Sequence, residues 1–443
     1  MSRKKNRTDI RIFDEPCGSG KSSKLIDELQ YVKEQGLKGC TLLVVPYLSE
    51  VERFQDVIGS NWLISPVDGK GRKIDQLIDA MGKGRNIITT HALYEQITKI
   101  SHLLHKYDVI IDEVPTTTKQ IPVYFGKVEF NELIKDNYIK VDSKTNLLTV
   151  TEGWQEIVAK YNRGDSKDKR IAKFITQVAN TEVYKMNGTY CLMPLPEAFF
   201  TEPKHLVILT FMFRGTQLDH YMKKRGYKYK LYQSVESLAV FKRDMFRNIE
   251  FYPITSKAKT GFVALSGSDP KHRKTVGNFV VKAIKHYRSL GRKIEQSDIL
   301  VGSHKDAWFG KSDPQSSRTS KVSDRTCFRK LTKLSGATYT PIITRGTNAY
   351  SDKTVLLMLG TENLNPNVAA FLGMDNTIAE NDHRLSELIQ LIYRTAIRKG
   401  QKIIFICPDD LIIALLKCFI GYERKQELHL RQSIEKAIRT NQM

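Results

Sequence analysis

At 443 residues the chain is long enough for two or three domains with their own cores, and its 41% hydrophobic content is ordinary for a globular protein. No apolar run approaches the ~20 residues that span a bilayer, no apolar stretch follows the basic start, and the six cysteines lack paired spacing, so no membrane-spanning helix, signal peptide, zinc site or disulfide framework is expected. The net charge of +22 points to a polyanion as partner, nucleic acid first, and disfavours self-association, so a monomer or weak oligomer in the cytoplasm is expected.

Residues 9–13 alternate, are partly β-branched and read as a strand running into Glu15-Pro16-Cys17-Gly18-Ser19-Gly20-Lys21-Ser22. Helical spacing follows through Leu25, Ile26, Leu29 and Val32, stopping at Gly36. Runs at 41–45, 86–90 and 109–111 have the continuous apolar character of buried parallel strands, with helical patterns between them. This β-α-β-α alternation predicts an α/β fold whose parallel sheets carry helices on both faces. From 116 to 204 the pattern becomes polar and charged, with a basic stretch at 160–173, and reads as an insertion of mixed structure over about 118–204. The sheet resumes at 206–210. A connection over 240–253 then leads to a second βα unit with strands at 298–302, 341–344, 354–359 and 402–407. Residues 310–335 are expected to be an exposed basic loop, and 423–443 a polar helix. The resulting division is a first domain at 1–240, a second at 241–420 and a helical tail at 421–443.

Three motifs carry chemistry. Gly18-Ser19-Gly20-Lys21-Ser22 sits between strand and helix, where glycines let successive N–H groups converge on phosphate oxygens. Lys21 would bridge the terminal phosphates of ATP and Ser22 would hold Mg2+; the usual first glycine of such a loop is Glu15 here. Asp112-Glu113 ends an apolar strand at the edge where such sheets bind ligands, so Asp112 would organise the metal and Glu113 would activate water. Gln390, Arg394 and Arg398 fall four apart, placing them on one face of a predicted helix, and arginine suits a transition state with charge spread over phosphate oxygens. Trp308 and Phe309, beside Lys305 and Lys311, could stack on bases, with core packing the favoured role.

This set resembles the superfamily 2 helicases, particularly the short helicases of tailed phages. Residues 16–22 resemble motif I, with Cys17 replacing threonine; 41–46 resemble motif Ia, and Ile88-Thr89-Thr90-His91-Ala92-Leu93 the next strand-loop motif. Ile111-Asp112-Glu113-Val114 resembles motif II, Leu209-Thr210-Phe211 stands at motif III, 344–348 resemble motif V, and 390–398 resemble motif VI. Pro115 departs from motif II, and the last arginine lies eight rather than seven residues after Gln390, leaving Arg394, Arg398 or both as finger. The resemblance implies two RecA-like P-loop domains. It also implies nucleotide contacts from Gly18, Ser19, Gly20, Lys21, Ser22, Ser23 and Gly346, and nucleic-acid contacts from Pro46, Thr90, His91, Thr210, Ser303, Lys305 and Thr347.

The expected function is an ATP-dependent helicase or translocase on nucleic acid, DNA in preference and single-stranded or branched, in phage replication, recombination or repair. Competing classes are a terminase-type packaging ATPase, which would need a carboxylate triad from residues such as Asp298, Asp306 and Asp375, and an ATP-switched nucleic-acid binder. The insertion could grip or split a duplex, or be structural.

Overall fold

A computed structural model describes residues 8–421 apart from 70, 97, 98, 124, 187–189, 257 and 344–348. Gly346 and Thr347, with the rest of the motif V segment, and the tail at 423–443 lie outside the described residues.

In chain order the first strands are β1 (Asp9–Asp14), β2 (Cys40–Val45), β3 (Leu63–Ile64), β4 (Asn86–Thr90) and β5 (Tyr107–Asp112). Then come β6 (Thr118–Pro122), β7 (Ile139–Val141), β8 (Leu147–Val150), β9 (Val183–Lys185) and β10 (Tyr190–Pro194). They are followed by β11 (His205–Thr210), β12 (Lys230–Tyr232), β13 (Ile249–Phe251), β14 (Ile299–Gly302), β15 (Thr338–Thr340), β16 (Val355–Met358) and β17 (Ile403–Ile406).

A seven-stranded sheet has the order β12-β1-β11-β5-β2-β4-β3 and is parallel throughout. Its central strands are apolar on both faces, as Leu42, Leu43, Val44 and Val45 show, because helices cover both sides. The order brings the carboxyl ends of β1, β11 and β5 side by side, so the glycine loop, Thr210 and Asp112 meet at one edge.

Between β5 and β11 the chain leaves this sheet and builds an antiparallel one, β6-β10-β9-β8-β7. Its own core, including Phe125, Phe130, Phe174 and Ile175, forms with the helix Ser166–Asn180, whose start is capped by the Asp165 carboxylate accepting from Lys167 and Asp168 N–H.

The third sheet, β13-β17-β16-β14-β15, is again parallel. The molecule is therefore α/β, with two parallel sheets. Three sequence expectations shift here. The strand expected at 341–344 lies instead at Thr338–Thr340, because Pro341 has no N–H to extend the ladder. The connection expected over 240–253 is mostly the helix Val235–Asn248, started by Ser234 capping Ser237 N–H, followed by β13. Leu238, Phe241 and Met245 of that helix pack in the second domain's core, and the helix is continuous across 240 and 241. The 310–335 segment is less loose than a free loop: Val322, Cys327 and Phe328 are buried, while Lys311, Arg318, Lys321 and Arg325 are exposed. Trp308 and Phe309 are buried in the core, as favoured.

One stretch of the second half crosses over. Leu364, Val368, Leu372 and Met374, around the helix Pro366–Leu372, join the hydrophobic core of the first domain. The Phe371 ring lies 4.9 Å from Tyr184 of β9, with Lys224 Nζ 4.8 Å over its face. Burying a phenylalanine in this way stabilises by about 2 kcal/mol. Among the described residues, no helix is long and apolar enough to cross a membrane.

Candidate functional site

The loop after β1 turns on two left-handed glycines, Gly18 (φ +78°) and Gly20 (φ +83°), and Gly20 opens the helix Lys21–Glu34. The helix start and the loop amides form a cradle for anionic oxygens. Glu15, where such loops usually have glycine, has a structural explanation. Its N–H donates to the Thr210 carbonyl (3.0 Å) and its Oε1 accepts from Ser234 N–H (2.8 Å), tying the loop to β11 and the chain beyond β12. Lys21 folds back over the loop, its Nζ donating to the carbonyls of Glu15 (2.6 Å) and Pro16 (3.0 Å), and burial pulls its pKa down.

Ser22 Oγ donates to Asp112 Oδ2 at 3.0 Å. Asp112 is buried, and that burial, with Glu113 beside it, pushes its carboxyl up to about 6. Glu113 adopts φ +67°, a left-handed conformation that costs a non-glycine residue about 1 kcal/mol or more, and its N–H is held by the Leu209 carbonyl at 2.9 Å. Met212, just past β11, is likewise left-handed at φ +56°. Two strained residues thus stand just past the ends of the neighbouring strands β5 and β11.

Gln390, Arg394 and Arg398 do not share a helix face. The helix Thr377–Ile392 ends at Tyr393; Thr395 is extended (φ −81°, ψ −173°), its hydroxyl donating to the Ile392 carbonyl, and a short 3-10 turn, Ala396–Lys399, follows. The hydroxyl competes for the carbonyl that would have continued the helix. The three side chains still line one cavity of about 730 Å³ together with Lys21, Asp112 and Glu113. Arg394 Nη2 donates to Glu113 Oε1 at 2.9 Å. Arg394 is buried, whereas Arg398 is exposed.

Gly18, Gly20, Ser22 and Ser23 line this cavity, as do Pro46, His91 and Thr210. Ser19 Oγ is buried and has no hydrogen-bond partner among the described residues, and Ser19 is not among the residues lining the cavity. His91 Nε2 lies 3.0 Å from the Asp112 carbonyl, a link between the β4 end and the β5 end. Thr90 and Pro46 line a second, shallower groove of about 740 Å³ with Tyr47, Arg72, Lys73 and Lys99. Ser303 is a correction: it is buried with its hydroxyl 3.4 Å from the His304 carbonyl, leaving Lys305 as the exposed group of that pair. Asp298 and Asp306, carboxylates a packaging nuclease would need, accept instead from Glu295 N–H and from Ser316 and Ser317.

Several lining residues escaped sequence reasoning. The Tyr393 ring covers the glycine loop so closely that a Cβ on Gly18 would come 2.4 Å from its Oη. Its place beside Arg394 was the available signal. Glu362 and Glu387 form an acidic wall, and burial with Glu387 nearby pushes Glu362 up to about 7. No spacing in the sequence connects them to the loop.

The donor set suits a magnesium nucleotide. Mg2+ takes one or two carboxylates, with phosphates and water completing its shell, and a hydroxyl–carboxylate pair of hard oxygens stands at Ser22 and Asp112 beside the phosphate cradle.

Residues 243–420 match the family model described as the YonV C-terminal Rossmann-like domain. Over 432 residues the chain is 24% identical to the SPbeta prophage-derived uncharacterized protein YonV of Bacillus subtilis (strain 168), covering 94% of this chain and 99% of that one. Among solved structures it is similar to Xpd4 of S. tokodaii, with a TM-score of 0.49 at 12% identity over 95% of both chains. It is also similar to Dbp5 of S. cerevisiae bound to RNA and ADP BeF3, with a TM-score of 0.36 at 12% identity, over 95% of this chain and 85% of that one. A third similarity is to the DUF1998 helicase MrfA bound to DNA and AMPPNP, with a TM-score of 0.37 at 11% identity, over 94% of this chain and 49% of that one.

Proposed function

We propose that the protein is an ATP-hydrolysing motor that moves along or unwinds nucleic acid, DNA in preference. The observation that carries this reading is the Arg394–Glu113 contact, because it joins the two halves of the chain inside the cavity that holds Lys21, Ser22 and Asp112.

In this reading the loop amides and Lys21 hold the phosphates, while Ser22 and Asp112 hold Mg2+, which would neutralise phosphate charge when bound. Glu113 orients and deprotonates the attacking water, and its left-handed backbone aims the carboxylate into the cavity. Arg394 reaches the same place from the second domain and would turn to the developing charge on the phosphoryl oxygens; Arg398, exposed on the same rim, would be the second cation. Because these groups belong to different domains, a change at the nucleotide moves one domain against the other.

The +22 charge and the groove lined by Arg72, Lys73 and Lys99, with Tyr47 half exposed, support nucleic acid as the track. The prophage origin of the Bacillus subtilis relative supports a place in phage DNA replication, recombination or repair in a bacterial cytoplasm. The test is ATP turnover measured with single-stranded, duplex and forked DNA and with matching RNA. Stimulation by nucleic acid is expected. Turnover indifferent to every one of them would remove the motor reading.

A further inference from the structure

The carboxyl edge of the second domain's sheet holds an apolar knuckle that the nucleotide site does not use. Phe262 is 59% exposed and Val263 is 86% exposed, side by side at the start of the short helix Phe262–Ser266. Large apolar side chains this open are ordinary when they sit singly on mobile loops. Here two adjacent ones sit on a hydrogen-bonded segment beside a buried core.

Three structures fix them. Below, Leu265 of the same helix is fully buried, and the buried guanidinium of Arg273 donates to the Leu265 (2.6 Å) and Gly267 (2.7 Å) carbonyls, closing the end of the helix. Behind, Gly261 pairs with Thr361 in a parallel bridge, and the hydroxyls of Thr260 and Thr361 both donate to Asp409 Oδ2, at 2.7 and 3.1 Å, at the end of β17. Beside, the buried His304 ring meets Phe262 edge-on, with centroids 5.3 Å apart at 88°. The Phe262 ring thus rests against His304 while the residue is largely open to solvent.

The surroundings are basic. Lys259 and Lys305, both exposed, flank the knuckle, the first three residues before Phe262 and the second next to His304. Arg273 also donates to the Thr326 carbonyl (3.0 Å), and Arg325, the residue before it, is exposed. Asp409, behind the knuckle, is turned inward by its two threonines and by the N–H groups of Leu411 and Ile412, and Asp306, next to Lys305, is held by Ser316 and Ser317. An exposed aromatic on a segment that also carries exposed lysines matches a ligand that presents flat apolar faces on an anionic backbone.

We infer that Phe262 is a base-stacking platform for single-stranded nucleic acid, with Lys259 and Lys305 holding the adjacent phosphates. The inference rests on the motor reading and adds a contact on the second domain. It also locates that contact. Thr361, the bridge partner of Gly261, is followed by Glu362 and Asn363, which line the nucleotide cavity, so the platform and that cavity share one stretch of chain.

The test uses the full chain and three fluorescent probes: a short oligothymidylate, the matching oligouridylate, and an abasic phosphodiester strand of equal length. Phe262→Ala should weaken binding to one or both base-bearing strands roughly 5- to 100-fold and leave the abasic strand unchanged, while Phe262→Trp restores affinity. Comparing thymidylate with uridylate tells whether the stacked strand is DNA or RNA. Lys305→Ala should weaken all three probes and lower the salt slope. Phe262→Leu keeps apolar area without a ring and should behave like the alanine variant; a melting curve confirms that both fold. Equal losses on base-bearing and abasic strands, or none, would overturn the platform. Wild-type ATP turnover stimulated by nucleic acid alongside an unaffected Phe262→Ala would sink the platform alone, leaving the motor standing. Wild-type chain that binds no strand at all removes both.

Discussion

Arg394 and Glu113, 281 residues apart in sequence, form an ion pair at 2.9 Å in which the arginine side chain is 11% exposed and the glutamate 23%. The pair ties a turn in the second domain to the end of β5, and several outcomes depend on it.

Glu113→Gln should hydrolyse ATP about 10²–10⁴-fold more slowly while still binding it, because the amide cannot take a proton from water yet leaves the loop and Lys21 untouched. Single-turnover hydrolysis and nucleotide binding measured on one preparation check this. Unaltered turnover would show that the carboxylate is not the base.

Arg394→Ala and Arg398→Ala should differ in stability. Removing the buried arginine leaves Glu113 facing the cavity without that partner, which costs on the order of 2 kcal/mol; Arg398 is exposed and its loss costs little. Both are expected to retain nucleotide binding, with turnover falling by orders of magnitude in at least one. Urea unfolding and ATPase rates for each variant, with Arg394→Ala/Glu113→Gln to measure coupling, decide it. Equal stabilities would show the ion pair to be energetically idle.

The pH dependence of stability has a definite sign. Asp112 carries a folded value of about 6 against 3.8 for the ordinary carboxyl, so the folded chain binds this proton more tightly than the unfolded one. Its contribution is fully present below pH 3.8 and is lost as pH rises from there through about 6, at most about 3 kcal/mol. Asp112→Asn should abolish that slope and make the nucleotide-free protein more stable at neutral pH, while removing magnesium-dependent hydrolysis. Urea titrations across this pH range in both proteins measure it; parallel curves would contradict the assignment.

Affinity for single-stranded DNA should fall roughly tenfold or more between 50 and 200 mM salt, as counterions displaced by several lysines and arginines return to the strand. A flat salt dependence would separate the +22 charge from nucleic-acid binding.

The nucleotide half of the site was legible because it is local. A strand, Gly18-Ser19-Gly20-Lys21-Ser22 and a helix are consecutive in the chain, and Asp112-Glu113 announces itself by the apolar run before it. The arginine half was legible in content and illegible in geometry. Periodicity continued the helix through Arg398, but the Thr395 hydroxyl ends it, a contest between side chain and backbone that spacing does not record. The crossover of 364–379 left a local trace, Asn365 capping a helix that begins at Pro366, yet nothing told which core that helix would enter. Tyr393 over Gly18 and the Glu362–Glu387 wall are products of tertiary packing alone.

The crossover and the ion pair fasten the same two domains by opposite physics. Cooling weakens the apolar seam around Phe371, and excluded salts such as sulfate tighten it. Added salt of any kind screens the Arg394–Glu113 attraction, although its partial burial limits the effect. Sulfate therefore tightens one fastener as it slackens the other. A chain chilled in low salt has the reverse bias, with the charged contact as its firmer hold, so which of the two contacts holds the halves of the chain more firmly depends on solvent conditions.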